Sequence, residues 1–183
     1  MTKKILLLSS LLVLILIAGC DKLNDLAKFD VKMNLPAQHF TLNKPELKNS
    51  LAPVDLYYDF NVNVNLDSIM QAHGLSNIGI ENGKLTKALL TITNPENANL
   101  AFINSARVVL FEATGAQTQV AHTGNINPEA QSVELILDAA DLSTLIKNKN
   151  FNGRIYVTVD PALMPPTAGF TLNQAIQFTV NPL

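Results

Sequence analysis

The chain has 183 residues, with 13 Lys or Arg against 15 Asp or Glu, a formal charge of −2 and 48% apolar side chains. No basic stripe stands out along it, so the electrostatic footprint that holds nucleic acid is missing. One cysteine, Cys20, rules out an internal disulfide framework, and the length suits a single domain able to bury roughly two-thirds of its unfolded surface without staples. Along the chain, Lys3 and Lys4 come first, followed by an apolar run from Ile5 to Ala18 broken only by Ser9 and Ser10. As a helix its 14 residues would reach about 21 Å, short of a hydrocarbon core of roughly 30 Å. A basic start, a short apolar middle and the small residues Ala18 and Gly19 at the exit have the form of a cleaved secretion signal over residues 1–19. Residues 20–27 then read as a short polar tether, and 28–183 as one domain.

From Phe29 onward the apolar period becomes two. The segment 54–65 places Val54, Leu56, Tyr58, Phe60, Val62 and Val64 on one side and Asp55, Tyr57, Asp59, Asn61, Asn63 and Asn65 on the other. Such alternation belongs to a strand with one dry and one wet face, here expected at the centre of its sheet. Shorter segments repeat it at 29–33, 40–42, 85–94, 105–112, 117–122, 132–137, 154–159 and 175–180. About eight or nine strands predict an all-β fold, an antiparallel sandwich, although the pattern alone does not separate two packed sheets from a closed barrel.

Two short helices interrupt the strands. Asn65 is placed to cap Leu66 to His73, with Gly74 ending the turn, and Asp141 or Asp138 to cap a second helix over about Leu142 to Asn148. Helices at such positions are expected to plug the open ends of a sandwich. Asn94-Pro95, Asn127-Pro128, Asp160-Pro161 and Asn181-Pro182 punctuate the β segments, because proline removes a ladder donor and Asn or Asp folds back on the following backbone. Asn82-Gly83 is the pair favoured in tight hairpins, and Pro161 to Gly169 reads as a loop crossing between sheets.

Two resemblances add to this. Ile17-Ala18-Gly19-Cys20 resembles a bacterial lipobox, the site where lipoprotein precursors are acylated on cysteine and cleaved just before it. The resemblance implies diacylglycerol in thioether linkage and an amide-linked chain such as palmitate on Cys20, and hence membrane lipid as a partner. One acyl chain binds a membrane only marginally, whereas two or more hold firmly. It also implies the bacterial cell envelope as the address. Asp21 after the cysteine resembles the inner-membrane retention signal of enteric bacteria, but other groups sort differently, so inner or outer membrane and periplasmic or outward display stay open. Separately, Ala88 to Pro95 followed by Ala98-Asn99-Leu100 and Val108 to Phe111 resembles the strand–Asn-Pro–strand signature of late-embryogenesis-abundant-like sandwich domains, over roughly residues 85–112.

Residues that could carry chemistry are scattered. His39, His73 and His122 have no metal-ligand spacing, no calcium-loop or Gly-rich phosphate motif occurs, and no cofactor is expected. Asp55 and Asp59 on one strand face lie about 13 Å apart, wider than either glycosidase separation. A hydrolase would have to recruit distributed groups such as His39, Asp59, His122 and Asp160. The remaining candidate contact is Tyr57 with Asp59, an outward ring beside short polar groups suited to a glycan or an envelope protein. The expected function is a lipid-anchored, non-enzymatic binding or assembly module. The alternatives are a carrier or chaperone for an apolar ligand and, more distantly, a hydrolase.

Overall fold

Alternating side chains become two facing sheets in the computed structural model, which describes residues 28–46 and 52–182. The expected lipidation residue Cys20, the signal and the tether lie outside the described residues. Among those described, ten strands and two short helices follow in order: Phe29–Asn34 (β1), Gln38–Asn43 (β2), Val54–Asn63 (β3), Leu66–Ala72 (α1), Ile78–Asn94 (β4), Ile103–Phe111 (β5), Gln117–His122 (β6), Ser132–Glu134 (β7), Ile136–Leu137 (β8), Ser143–Lys147 (α2), Asn150–Val159 (β9) and Thr167–Pro182 (β10). Every pairing is antiparallel. In sheet A, β1 and β2 lie end to end along one side of β10, followed by β4 and β7; sheet B runs β3-β9-β5-β6-β8. The fold is thus an all-β sandwich of two open sheets, not a closed barrel. Its interior is filled by large side chains from both sheets, among them Phe170, Phe178, Leu90, Leu172 and Ile155.

Several segments differ from the sequence expectation, each for a local reason. Of the segment 54–65, Val54–Asn63 is a strand with Phe60 and Val62 buried and Tyr57 outward as expected, but it forms an edge of sheet B and not its centre. Alternation reports which face is dry and nothing about how many neighbours a strand has. The centre of sheet A is β10, whose buried run from Ala168 to Leu172 includes Gly169 and thus shortens the expected loop to residues 160–166. That loop does cross from sheet B to sheet A. Ser132 to Leu137 is two strands: Leu135 turns into the core, its N–H donating to Ala88 O at 2.8 Å, and the chain passes from sheet A to sheet B there.

Asn82-Gly83 makes no hairpin. The two residues sit within β4 as a bulge opposite Phe178, since Lys84 pairs with Gln177 and Glu81 with Thr179. Asn82 takes φ +54°, and Gly83 is where α2 meets the strand backbone. A Cβ on Gly83 would lie 2.6 Å from Ser143 N and 2.9 Å from the Leu142 carbonyl carbon. Instead, Gly83 N–H donates to Ser143 Oγ at 2.9 Å and Leu142 N–H donates to Gly83 O at 2.7 Å. A glycine inside a strand here marks close backbone approach.

Both helices cap the same end of the sandwich. Asn63 and Asn150 are the last pair of β3 and β9, and just beyond them Val64 N–H donates to Lys149 O at 2.6 Å. Asn65 Oδ1 accepts from Ser68 N–H at 3.1 Å, the expected cap of α1, and Gly74 at φ +66° ends that helix. At α2 neither expected residue is the N-cap: that position is Leu142, with no side-chain cap bond, while Asp141 just before it accepts from Ser143 N–H at 2.9 Å and Ser143 Oγ–H at 2.6 Å, and Asp138 faces His122 and Gln119. The donations from the Ser143 hydroxyl and then its N–H hold the Asp141 carboxyl below the usual range. The domain also begins at this end, where the Phe29 ring lies 4.3 Å from that of His73.

Candidate functional site

Register turns the outward residues of sheet B into rows. Asp55 faces Thr158 and Ser105. Tyr57 faces Tyr156, Arg107 and His122. Asp59 faces Arg154, Val109 and Gln119. Asn61 faces Asn152, Phe111 and Gln117. Asn63 faces Asn150. Successive rows lie about 7 Å apart at strand rise, so planar polar groups and rings are held on a rigid lattice. Sequence parity places each of these side chains outward, but only the pairing of β3 with β9 and β9 with β5 brings them together.

Arg154 is the hub. Its Nε donates to Asp59 Oδ1 at 2.5 Å and its Nη2 to Asp59 Oδ2 at 2.8 Å, the two-pronged geometry a guanidinium makes with a carboxylate. These hydrogen bonds, with the guanidinium charge, hold the Asp59 carboxyl below the usual range, and the same bonds raise the arginine's own value. The guanidinium carbon lies 4.2 Å from the centre of the Tyr57 ring, 5.6 Å from Tyr156 and 5.7 Å from Phe111. Beside it, Arg107 stands 3.9 Å over the Tyr156 ring. Such contacts contribute about 0.5–1 kcal/mol each at exposed sites, enough to fix orientation. Val109, although outward, is only 3% exposed, so the long side chains around it form a roof. Tyr57 remains 58% exposed and is the ring most open to contact.

On the helix-capped side of Arg154 lies a groove of about 610 Å³ lined by Asp59, Asn61, Phe111, Asn152 and Arg154. A second of about 390 Å³ continues from it over Phe111 and Asn152 to Glu112, Asn148 and Asn150. Asn61 Nδ2 donates to Asn152 Oδ1 at 3.0 Å, and Asn63 Nδ2 to Asn150 Oδ1 at 2.7 Å, which locks these amides in cross-strand pairs.

Of the sequence candidates, Tyr57 and Asp59 do lie together on this face. The distributed groups do not converge: each has its own local partner. His39 Nδ1 hydrogen-bonds with Thr171 Oγ1 at 2.9 Å in sheet A, His122 Nδ1 lies 3.1 Å from Asp138 Oδ1, and Asp160 Oδ1 accepts from Ala162 N–H at 2.8 Å. Among the described residues no group of three His, Cys, Asp or Glu is placed to hold a metal ion. Sequence reasoning missed Arg154, Arg107, Tyr156 and Phe111. The available signal was parity, since Arg154, Tyr156 and Thr158 alternate with Ile155, Val157 and Val159.

No family model and no curated protein matches the chain. Among solved structures the fold is similar to a decameric BFDV capsid protein, with a TM-score of 0.48 and 10% identity, the alignment covering 84% of this chain and 99% of that one. Nothing about the site rests on that likeness.

Proposed function

We propose that this chain is a lipid-anchored envelope protein whose β-sandwich is a non-catalytic binding or assembly module, with the outer face of sheet B as its contact surface. The anchor rests on Cys20, the single cysteine, at the end of a short apolar leader and before a polar tether. The described sandwich begins at its helix-capped end, and seven residues between it and Cys20 would span at most about 25 Å when extended. That reach would keep the domain close to the bilayer.

The observation that carries the contact surface is the Arg154 hub. Two arginines and three rings are stacked in register on one face, with Tyr57 open to solvent. Tyrosine and arginine are the side chains that most often anchor interfaces, because each combines a large rigid surface with directed hydrogen bonds. The test has two arms. A Cys20→Ala precursor should lose labelling by a fatty-acid probe; unchanged labelling would remove the anchor. A photo-crosslinking residue at Tyr57 should give adducts in intact cells that one at Gln177, outward on sheet A, does not. Equal adducts from both positions, or none from Tyr57, would remove the contact surface.

A further inference from the structure

We infer that the groove beside Arg154 is a site for a neutral oligosaccharide. This rests on the reading of sheet B as the contact surface and gives that surface a ligand class. A sugar ring presents an apolar C–H face and an edge of neighbouring hydroxyls, each both donor and acceptor. The groove offers a counterpart to each.

The face counterpart is Phe111, half-buried and lining both grooves. The edge counterparts are the paired amides. In each Asn–Asn pair one N–H and one carbonyl oxygen are used on each other, which leaves a carbonyl oxygen and further N–H donors unspent, and Asn61, Asn152 and Asn150 line the grooves. Reversing both amides leaves the same set, so the match does not depend on their assigned orientation. Because each amide is held by its partner and each backbone by the sheet, little side-chain freedom is lost on binding.

Charge selects the class. Arg154 is already neutralised by the two-pronged contact with Asp59, and the other charged residue lining the two grooves is Glu112. Among the described residues lining the two grooves there is no further cation to face an incoming phosphate or carboxylate, and an acidic sugar would meet Glu112. An apolar ligand would strip water from the amides and give them no partner. A neutral polyhydroxylated chain satisfies both the ring and the amides. The run along β9 from Arg154 to Asn150, about 13 Å at strand rise, is long enough for more than one sugar unit.

The test uses the full chain in a detergent without a sugar headgroup, probed by saturation-transfer NMR with cellotriose, maltotriose, mannotriose and chitotriose, and with trigalacturonic acid as the anionic counterpart. At least one neutral trisaccharide should receive saturation, weakened about tenfold in both Phe111→Ala and Asn152→Ala, with trigalacturonic acid silent. Asn152 is exposed, so its variant keeps the test valid if Phe111→Ala melts early. Transfer to none of the neutral sugars, equal transfer to the acidic one, or binding untouched by both variants would overturn the inference. If no sugar binds while a crosslinker at Tyr57 still captures a protein, this inference fails and the wider reading of the face stands. If both are negative, both fail.

Discussion

The two sheets share one construction on their inner faces and differ on their outer ones. In sheet A the outward groups are a mixture of exposed lysines (Lys32, Lys84 and Lys87) and mutually bonded polar side chains: Asp30 accepts from Thr179 Oγ1–H at 2.8 Å and from Gln177 Nε2–H at 3.3 Å, and Asn181 Nδ2–H donates to Glu81 Oε1 at 3.1 Å. A groove of about 620 Å³ lies there too, beside the bulge at Asn82 and Gly83, but no aromatic ring lines it. In sheet B the same alternation carries rings, guanidinium groups and paired amides outward. Groove volume therefore does not distinguish the faces, and the chemistry of the outward residues does. Alternation decides which side chains reach water, and their identities decide what they can hold.

The contrast between inner and outer sets breaks hardest at neighbouring positions of β3. Val62 is 1% exposed inside the sandwich, whereas Asn61 points outward. Val62→Asp would bury a charge with no partner and should remove about 4 kcal/mol or more, while Asn61→Asp should cost under about 1 kcal/mol. Thermal melts of the two variants check this; equal losses would mean the faces are exchanged, as a one-residue slip would do. A second, smaller probe lies in β9. A Cβ on Gly153 would sit 2.4 Å from the Phe60 ring and 3.0 Å from Leu110 Cδ2. Gly153→Ala should therefore cost about 1–3 kcal/mol by overpacking, and a neutral result would show that the core beneath the binding face has room to spare.

How much of this was legible in the sequence follows from which interactions are local. The strand at 54–63, the inward set Ala106, Val108 and Leu110, and the Asn65 cap were readable because parity and capping depend on a few neighbouring residues. Asn82-Gly83 misled because the same dipeptide serves a hairpin or a bulge, and what chose the bulge was α2, about 60 residues further on, packing on Gly83. The edge position of β3 and the split at Leu135 were equally non-local. Half of the candidate site was visible as Tyr57 and Asp59. The other half needed Arg154, 95 residues from Asp59, to be set opposite by strand pairing, and no local pattern records that register.

The Asp59–Arg154 pair sharpens the comparison through pH. Hydrogen bonds from Arg154 hold the folded-state carboxyl below its usual value of ~3.9. A depressed acid contributes stability that is fully present above that value and is lost as pH falls through the folded-state value. Asp59→Asn should accordingly melt slightly below the parent at pH 7, by no more than about 1 kcal/mol because the pair is exposed and screened. The gap should begin to close as pH falls below about 4 and narrow in high salt. A gap that does not narrow at all on acidification would assign the loss to packing and not to the ion pair. Asp30 in sheet A serves as the control, since its hydrogen bonds come from neutral groups and the Asp30→Asn gap should respond little to salt.

The smallest expected effect on stability separates the faces most cleanly. Tyr57 and Gln177 are both outward, on β3 and β10, and neither side chain fills the core. Replacing Gln177 by Ala should shift stability by about 0.5 kcal/mol or less, the usual range for surface positions, and replacing Tyr57 by about 0.5–1 kcal/mol, the size of one exposed ring–guanidinium contact. Binding should not be so even-handed. Tyr57→Ala removes the exposed ring on which Arg154 rests at 4.2 Å, so the guanidinium loses one of its three ring contacts and the face loses its most accessible anchor. Gln177→Ala removes one donor to Asp30, which keeps Thr179. Ligand or partner capture should therefore fall with Tyr57→Ala and hold with Gln177→Ala while the two proteins differ little in stability. Capture lost in both variants would mean that the contact surface is not confined to sheet B. Capture lost in neither would move it off the tyrosine and onto the groove side of Arg154.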